Sequence, residues 1–424
     1  MMRILPLGLV VLCLVLSTFG VAAQPEKVEP FRPEAGKFPP LEKAHSYRGE
    51  LTFVDHANRR GSVRVQGSGM FFRTDPHPFA MLPYGMVRYR GAPADLRDIP
   101  LGTVMHVWAF LPPDPKTSPV PVLPVNSKKL DGNHNRGAGI FPAENHVLLL
   151  EDEPSHCLRE GKVWKLKEVN VQDNAGMIVA SCELKNGGKG KAEEEKLTFD
   201  AATRIWRGRE CLTVSELIAD SIWPASGKKS LGGQAVQLGI TWKPTPDGIF
   251  TRFHISDIWL DDAAIQRAAR NQTETHKAFI RSRWMPAWVD SVEYGKFGRA
   301  TVTATLFGGM DATLYADFKK DVPAMMNAAE NTLKHTHGAY GPAHMASRGS
   351  ILEVTKSPSE PPPGSSGIRI RFETDLVIEG LRPTRVVRVR PNTWPQLQVP
   401  REEYLNDGAS LEERFPSATI FPRY

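Results

Sequence analysis

The sequence predicts a mainly β protein of repeated small units, with one connector helix and one helical insertion. Three observations predict it. Proline accounts for 35 of the 424 residues, above the ~5% usual for soluble chains, which favours turns, strands and linkers over long helices. Ala300-Thr301-Val302-Thr303-Ala304-Thr305-Leu306 places an apolar residue at every second position, the period of a half-buried strand. A weak internal repeat of strand, glycine turn and strand recurs along the chain.

Composition bounds the rest. Hydrophobic residues are 41% and charged residues 24%, so sizeable cores can be buried, and length alone suggests two or three domains. A coiled coil, a multi-span membrane protein and a disulfide miniprotein are excluded. The net charge of +6 is too small to imply nucleic acid by itself.

Residues 1–23 read as a secretory signal. Arg3 supplies the positive start, Ile4 to Phe19 is mostly apolar, and Val21-Ala22-Ala23 is a small-residue end, so cleavage is expected before Gln24. The apolar run is shorter than the ~20 residues of a span, so no membrane anchor is expected after cleavage. The expected location is periplasmic or extracellular. Cys157, Cys182 and Cys211 then remain, without a C-x-x-C pair. Cys182 and Cys211 fall in one predicted domain and could form a disulfide in an oxidising compartment; three free thiols is the alternative reading.

The organisation expected is a Pro-rich leader at 24–44, β domain 1 at 45–113, a Pro-rich linker at 114–142 and β domain 2 at 143–259. A connector helix at 260–283, β domain 3 at 284–402 and a C-terminal tail at 403–424 follow. Each β domain opens with paired strands: Gly49 to Asp55 with Ser62 to Val65, Trp164 to Val171 with Met177 to Ala180, and Trp288 to Val292 with Ala300 to Leu306. The middles of the first two also match. Tyr89-Arg90-Gly91 is followed by Leu96 and Asp98-Ile99, and Trp206-Arg207-Gly208 by Val214 and Glu216-Leu217. The connector helix starts at Asp261 and Asp262, where carboxylates favour a helix start, and Pro286 ends it. The insertion helix is expected after Asp321, with Pro323 in its first turn and Met325, Ala329 and Leu333 on one stripe.

The strand pair, the aromatic-Arg-Gly step with its acid, and Gly102-Thr103-Val104 with Val107 resemble exported bacterial proteins of unknown function with tandem OB-like small β-barrels. The resemblance implies OB-like five-stranded barrels in an exported setting. It brings no catalytic residue, and the third unit lacks the aromatic-Arg-Gly step.

Five groups are weighed as candidate sites. Arg369, Arg371, Arg388 and Arg390 share one basic face if their strands are neighbours; a solvated exterior is the alternative. Trp284 and Trp288 could hold a sugar ring or a partner surface, or pack between domains. His335, His337 and His344 are a candidate copper or zinc set with Met345. The run Glu151-Asp152-Glu153 could supply glycosidase carboxylates. Asp131-Gly132-Asn133-His134-Asn135 begins like a calcium loop but lacks its later glycine and glutamate.

No nucleophile elbow, H-E-x-x-H or Walker A sequence is present, and no cofactor is implied. The sequence therefore points to an exported, non-enzymatic binding or assembly protein. The expected partner is an envelope component, a polysaccharide or a protein, and export argues against nucleic acid. The alternatives are a secreted hydrolase joining His146, Glu151 and His254, or a His/Met metal-binding protein.

Overall fold

The computed structural model describes residues 31–34, 36–56, 59–65, 76–111, 145–185, 194–245, 251–328, 346–375, 377 and 381–395. The signal segment, the linker at 114–142 and the tail at 403–424 lie outside them. The chain from Phe31 onward clusters as one unit, built mainly of β-strands around three cores.

The first barrel contains β1 (His45–Asp55), β2 (Arg60–Val65), β3 (His77–Tyr89), β4 (Ala92–Ala94), β5 (Val104–Phe110) and β6 (Asn145–Asp152). Its strands close in the order β1-β2-β3-β6-β5, with β4 added beside β3. The contact between β3 and β6 is parallel; the other contacts are antiparallel. The expected start of domain 2 at residue 143 is corrected here, because β6 completes this first barrel. Val147 to Leu150 are all buried, the pattern of a strand covered on both faces rather than an alternating edge.

After α1 (Glu153–Arg159), the second barrel contains β7 (Lys162–Gln172), β8 (Ala175–Leu184), β9 (Glu194–Phe199), β10 (Arg204–Arg207) and β11 (Glu210–Leu212). Helix α2 (Val214–Ala219), β12 (Gly227–Pro244) and β13 (Thr251–Trp259) complete it. The closed order is β7-β8-β9-β13-β12, again with a parallel contact between the third and last strands. Both barrels thus share one OB-like Greek-key order.

The repeated motif has a structural explanation in each barrel. Arg90 and Gly91 turn the chain between β3 and β4 at positive φ, as Gly208 does between β10 and β11. The Arg90 amide donates to Asp152, which also caps α1. The Gly208 amide donates to Asp261, which caps α3 (Asp262–Arg283). The recurring acid closes a capping box: Asp98 with Asp95, and Glu216 with Thr213. Each box satisfies backbone donors that a helical turn leaves open. Leu96 and Val214 lie beside these caps and are fully buried.

The third barrel contains β14 (Met285–Tyr294), β15 (Ala300–Phe307), α4 (Ala312–Tyr315), β16 (Pro323–Ala328), β17 (Ser347–Lys356), β18 (Ser365–Thr374) and β19 (Val386–Pro391). It closes as β14-β15-β18-β17-β16-β19, antiparallel throughout. The insertion helix expected from Pro323 is not formed there, because Pro323–Ala328 is strand β16. Ala324 and Met326 alternate inward, and pairing with β17 and β19 closes the ring, so non-local pairing overrides local helical spacing. Residues 329–345, where the rest of that expectation falls, lie outside the described residues.

Helix α3 is the expected connector. Gln272 donates to Asp98 of the first barrel at 2.9 Å, and Phe279 lies under the guanidiniums of Arg97 and Arg283. Trp288 and Phe307 of the third barrel pack with Leu82, Tyr84, Phe110 and Leu148 of the first. Phe31 and Phe38, in the segment expected to be an extended leader, join this junction. Among the described residues no helix is long and apolar enough to cross a membrane.

Candidate functional site

A buried polar cluster lies where the first two barrels meet. It is organised by α1, whose start is fixed by Asp152 accepting from the Ser155 amide. The helix's first residue, Glu153, is 3% exposed. One carboxylate oxygen lies 2.9 Å from Arg48 Nη2 and 2.8 Å from His106 Nε2. The other accepts from Trp164 Nε1 at 3.1 Å and faces Cys157 Sγ at 3.6 Å. Arg48 comes from β1, His106 from β5 and Trp164 from β7, so two barrels supply the donors.

Burial alone would raise the Glu153 pKa, but Arg48 and then His106 outweigh it and hold the carboxyl well below its usual range. Burial lowers the pKa of His106 against the pull of Glu153, so the neutral imidazole donates its Nε2–H. The His106 ring stacks on His156 with centroids 3.9 Å apart. Arg48 also reaches Glu195 of β9 at 3.2 Å and lies over the Phe253 ring. Chemically, this arrangement holds an ionised carboxylate with both oxygens occupied. It is a poor general base and a good tie between barrels.

The three acids of the Glu151-Asp152-Glu153 run have separate tasks. Glu151 takes both oxygens to Arg159 Nε, at 3.0 and 2.9 Å. Asp152 caps α1, and burial pushes its carboxyl up to about 6 against the bonds from Ser155 and Arg90. Glu153 binds Arg48 and His106. Of the hydrolase set, His146 and Glu151 lie on one strand, five residues and so roughly 16 Å apart, while His254 lies on β13 beside Thr198 and Asp200. A shared proton between His146 and Glu151 is out of reach.

The four arginines do not form one face. Strands β18 and β19 are three places apart in a six-membered ring, on opposite sides of the third barrel. Arg369 pairs with Asp290 at 3.1 Å, and Arg371 with Glu293 and Glu353. Arg388 donates to the Arg283 carbonyl and Arg390 to that of Trp394. Trp284 and Trp288 are buried, which removes them as exposed sugar platforms and makes Trp288 a packing residue between barrels. Cys157, Cys182 and Cys211 are free thiols. Cys182 has Cys157 as its sulfur neighbour at 3.6 Å, while Cys211 is exposed on β11. His335, His337 and His344 lie outside the described residues.

Sequence reasoning singles out Glu153 but misses Arg48, His106 and Trp164. No local signal marks them: Arg48 and His106 meet Glu153 only through barrel closure, and Trp164, eleven residues on, reads as an ordinary strand residue. A groove of about 380 Å³ lies elsewhere, on the second barrel, lined in part by Lys165, Lys185, Gln237, Trp259 and Asp262.

His276 of α3 offers a measurable electrostatic consequence. Burial, with Arg59 and Arg97, depresses its pKa to about 4 despite Asp98 and Asp311. An unfolded chain titrates this ring near ~6.5. Between these values the unfolded state binds the extra proton, so stability falls as pH falls, by about 3 kcal/mol once pH is below both values. His276→Phe is expected to lose less stability than the parent between pH 7.5 and 3.5 in urea unfolding. Equal losses in the two proteins would show that His276 is not buried in its neutral form.

Neither the comparison with protein-family models nor that with curated proteins returns a match.

Proposed function

We propose that this is a non-enzymatic binding or assembly protein that works at the cell envelope or outside the cell, as a rigid three-barrel scaffold. The observation that carries this reading is the occupied state of Glu153. The most buried acid cluster ties barrels together and leaves no free carboxylate oxygen for proton transfer. The contact between the first two barrels is thereby fixed, the Trp288 cluster joins the third, and recognition falls to what the surface presents.

Among the described residues, the turn between β14 and β15 presents the most exposed aromatic side chains. Phe297 is 96% exposed and Tyr294 69%, beside Lys296 and Arg299. Exposed aromatics next to cations are suited to a protein or polysaccharide partner. Co-sedimentation of the purified protein with a native envelope fraction tests the reading. The parent is expected to pellet at low and high salt, since aromatic contacts resist screening. Tyr294→Ser/Phe297→Ser is expected to reduce pelleting at least tenfold. A parent that stays soluble at both salts would count against an envelope role, and equal pelleting of the variant would remove the hairpin from it.

A further inference from the structure

We infer that Cys157 and Cys182 are a dithiol that closes to a disulfide, stapling α1 to the second barrel. This inference does not rest on the binding reading. The two sulfurs lie 3.6 Å apart, and each is positioned independently. Cys157 lies one helical turn after Glu153 on α1, with its thiol facing the Glu153 carboxylate. Cys182 sits on β8 directly across from Trp164 of β7, and Trp164 itself donates to Glu153. A disulfide bond spans ~2.05 Å, so closure needs the sulfurs to approach by roughly 1.5 Å.

The two thiols are unequal. Cys157 is fully buried, whereas Cys182 is partly exposed. The hydrogen bond between them keeps the proton on Cys157 and favours the Cys182 thiolate, and burial reinforces the first effect. Cys182 is therefore the entry sulfur. With a small-molecule disulfide RSSR as oxidant, the Cys182 thiolate attacks one sulfur, forms Cys182–S–S–R and expels RS⁻, which takes a proton. Cys157, as it loses its proton, then attacks the Cys182 sulfur and expels the second RS⁻. The sum is two protein thiols plus RSSR giving one protein disulfide plus two RSH.

Glu153, Cys157 and Cys182 also lie close enough to suggest a metal set. Against that, the Glu153 oxygen that faces Cys157 already accepts from Trp164 Nε1 at 3.1 Å, and Arg48 neutralises the same carboxylate from 2.9 Å at its other oxygen. The disulfide is the better-balanced chemistry.

The experiment uses the full chain carrying Cys211→Ser, treated with oxidised glutathione under native conditions, alkylated, digested without reductant and mapped by mass spectrometry. The expected result is a linked Cys157–Cys182 peptide with complete loss of alkylation at both positions, reversed by dithiothreitol. With Cys157→Ser added, Cys182 is expected to accumulate as the glutathione mixed disulfide. Two findings would overturn the proposal. One is both thiols remaining alkylatable in the unfolded digest after oxidation. The other is stoichiometric zinc in the purified protein that blocks oxidation until it is chelated. In the parent chain, a Cys182–Cys211 link in place of the expected one would overturn it as well.

Discussion

Glu153→Gln is expected to cost the fold about 3–5 kcal/mol, the range for removing one partner of a buried ion pair. The substitution keeps the side-chain shape but leaves the Arg48 guanidinium facing a neutral amide. Arg48 keeps Glu195 at 3.2 Å, so the lower part of the range is expected. The amide nitrogen adds a second penalty. Whichever way the amide turns, it presents N–H groups either to Arg48 or to Trp164, both of which can only donate. Urea unfolding of Glu153→Gln, Arg48→Met and the double variant measures the coupling. The double variant should lose less than the sum of the singles, by about 2 kcal/mol or more. Additive losses would mean that Arg48 and Glu153 are neighbours without being a pair, and the tie between the first two barrels would have to be sought elsewhere.

The same cluster shows which parts of the molecule can be read from sequence. The aromatic-Arg-Gly step and its acid are local devices. Their turn geometry, capping boxes and buried Leu96 or Val214 all lie within a few residues, so the repeat is visible in the order of residues alone. The start of α3 at Asp261 is legible for the same reason. Ring neighbours are not local. Arg371 and Arg388 look like one alternating pattern interrupted by a loop, but closure of the third barrel sets β18 and β19 on opposite sides. Pro323 to Ala328 fits a helical spacing until β17 and β19 offer pairing on both edges. The apolar run of β6 lies beyond a proline-rich stretch, which suggests a domain boundary, while its hydrogen-bond partners sit in the preceding barrel. Of the site itself, the acidic run is legible and its partners are not. Arg48 and His106 lie more than forty residues before Glu153 and carry no motif that separates them from other arginines and histidines.

Trp288→Ala is expected to be as damaging as any single change at the other junction, at about 3–5 kcal/mol for a buried tryptophan. Its ring lies 3% exposed among Tyr84 of the first barrel, Phe307 of its own and Phe38 of the approach segment, with centroids 5.8, 6.2 and 6.5 Å away. Removing it opens a cavity between two barrels that cannot collapse without moving one against the other. The indole Nε1 is buried without a hydrogen-bond partner among the described residues, so its polar atom contributes nothing to offset that loss. Trp288→Phe is therefore expected to be much milder, under about 1.5 kcal/mol, because it keeps an aromatic ring and deletes the orphaned donor. Phe297→Ser, at the exposed hairpin, should change stability by no more than about 0.5 kcal/mol. Urea unfolding of the three variants ranks them. The order alanine at 288, phenylalanine at 288, serine at 297 is what a load shared across a buried junction requires. If Trp288→Ala were no worse than Phe297→Ser, the first and third barrels would not be held together by this cluster. The scaffold reading would then lose its rigid frame while the hairpin could still bind.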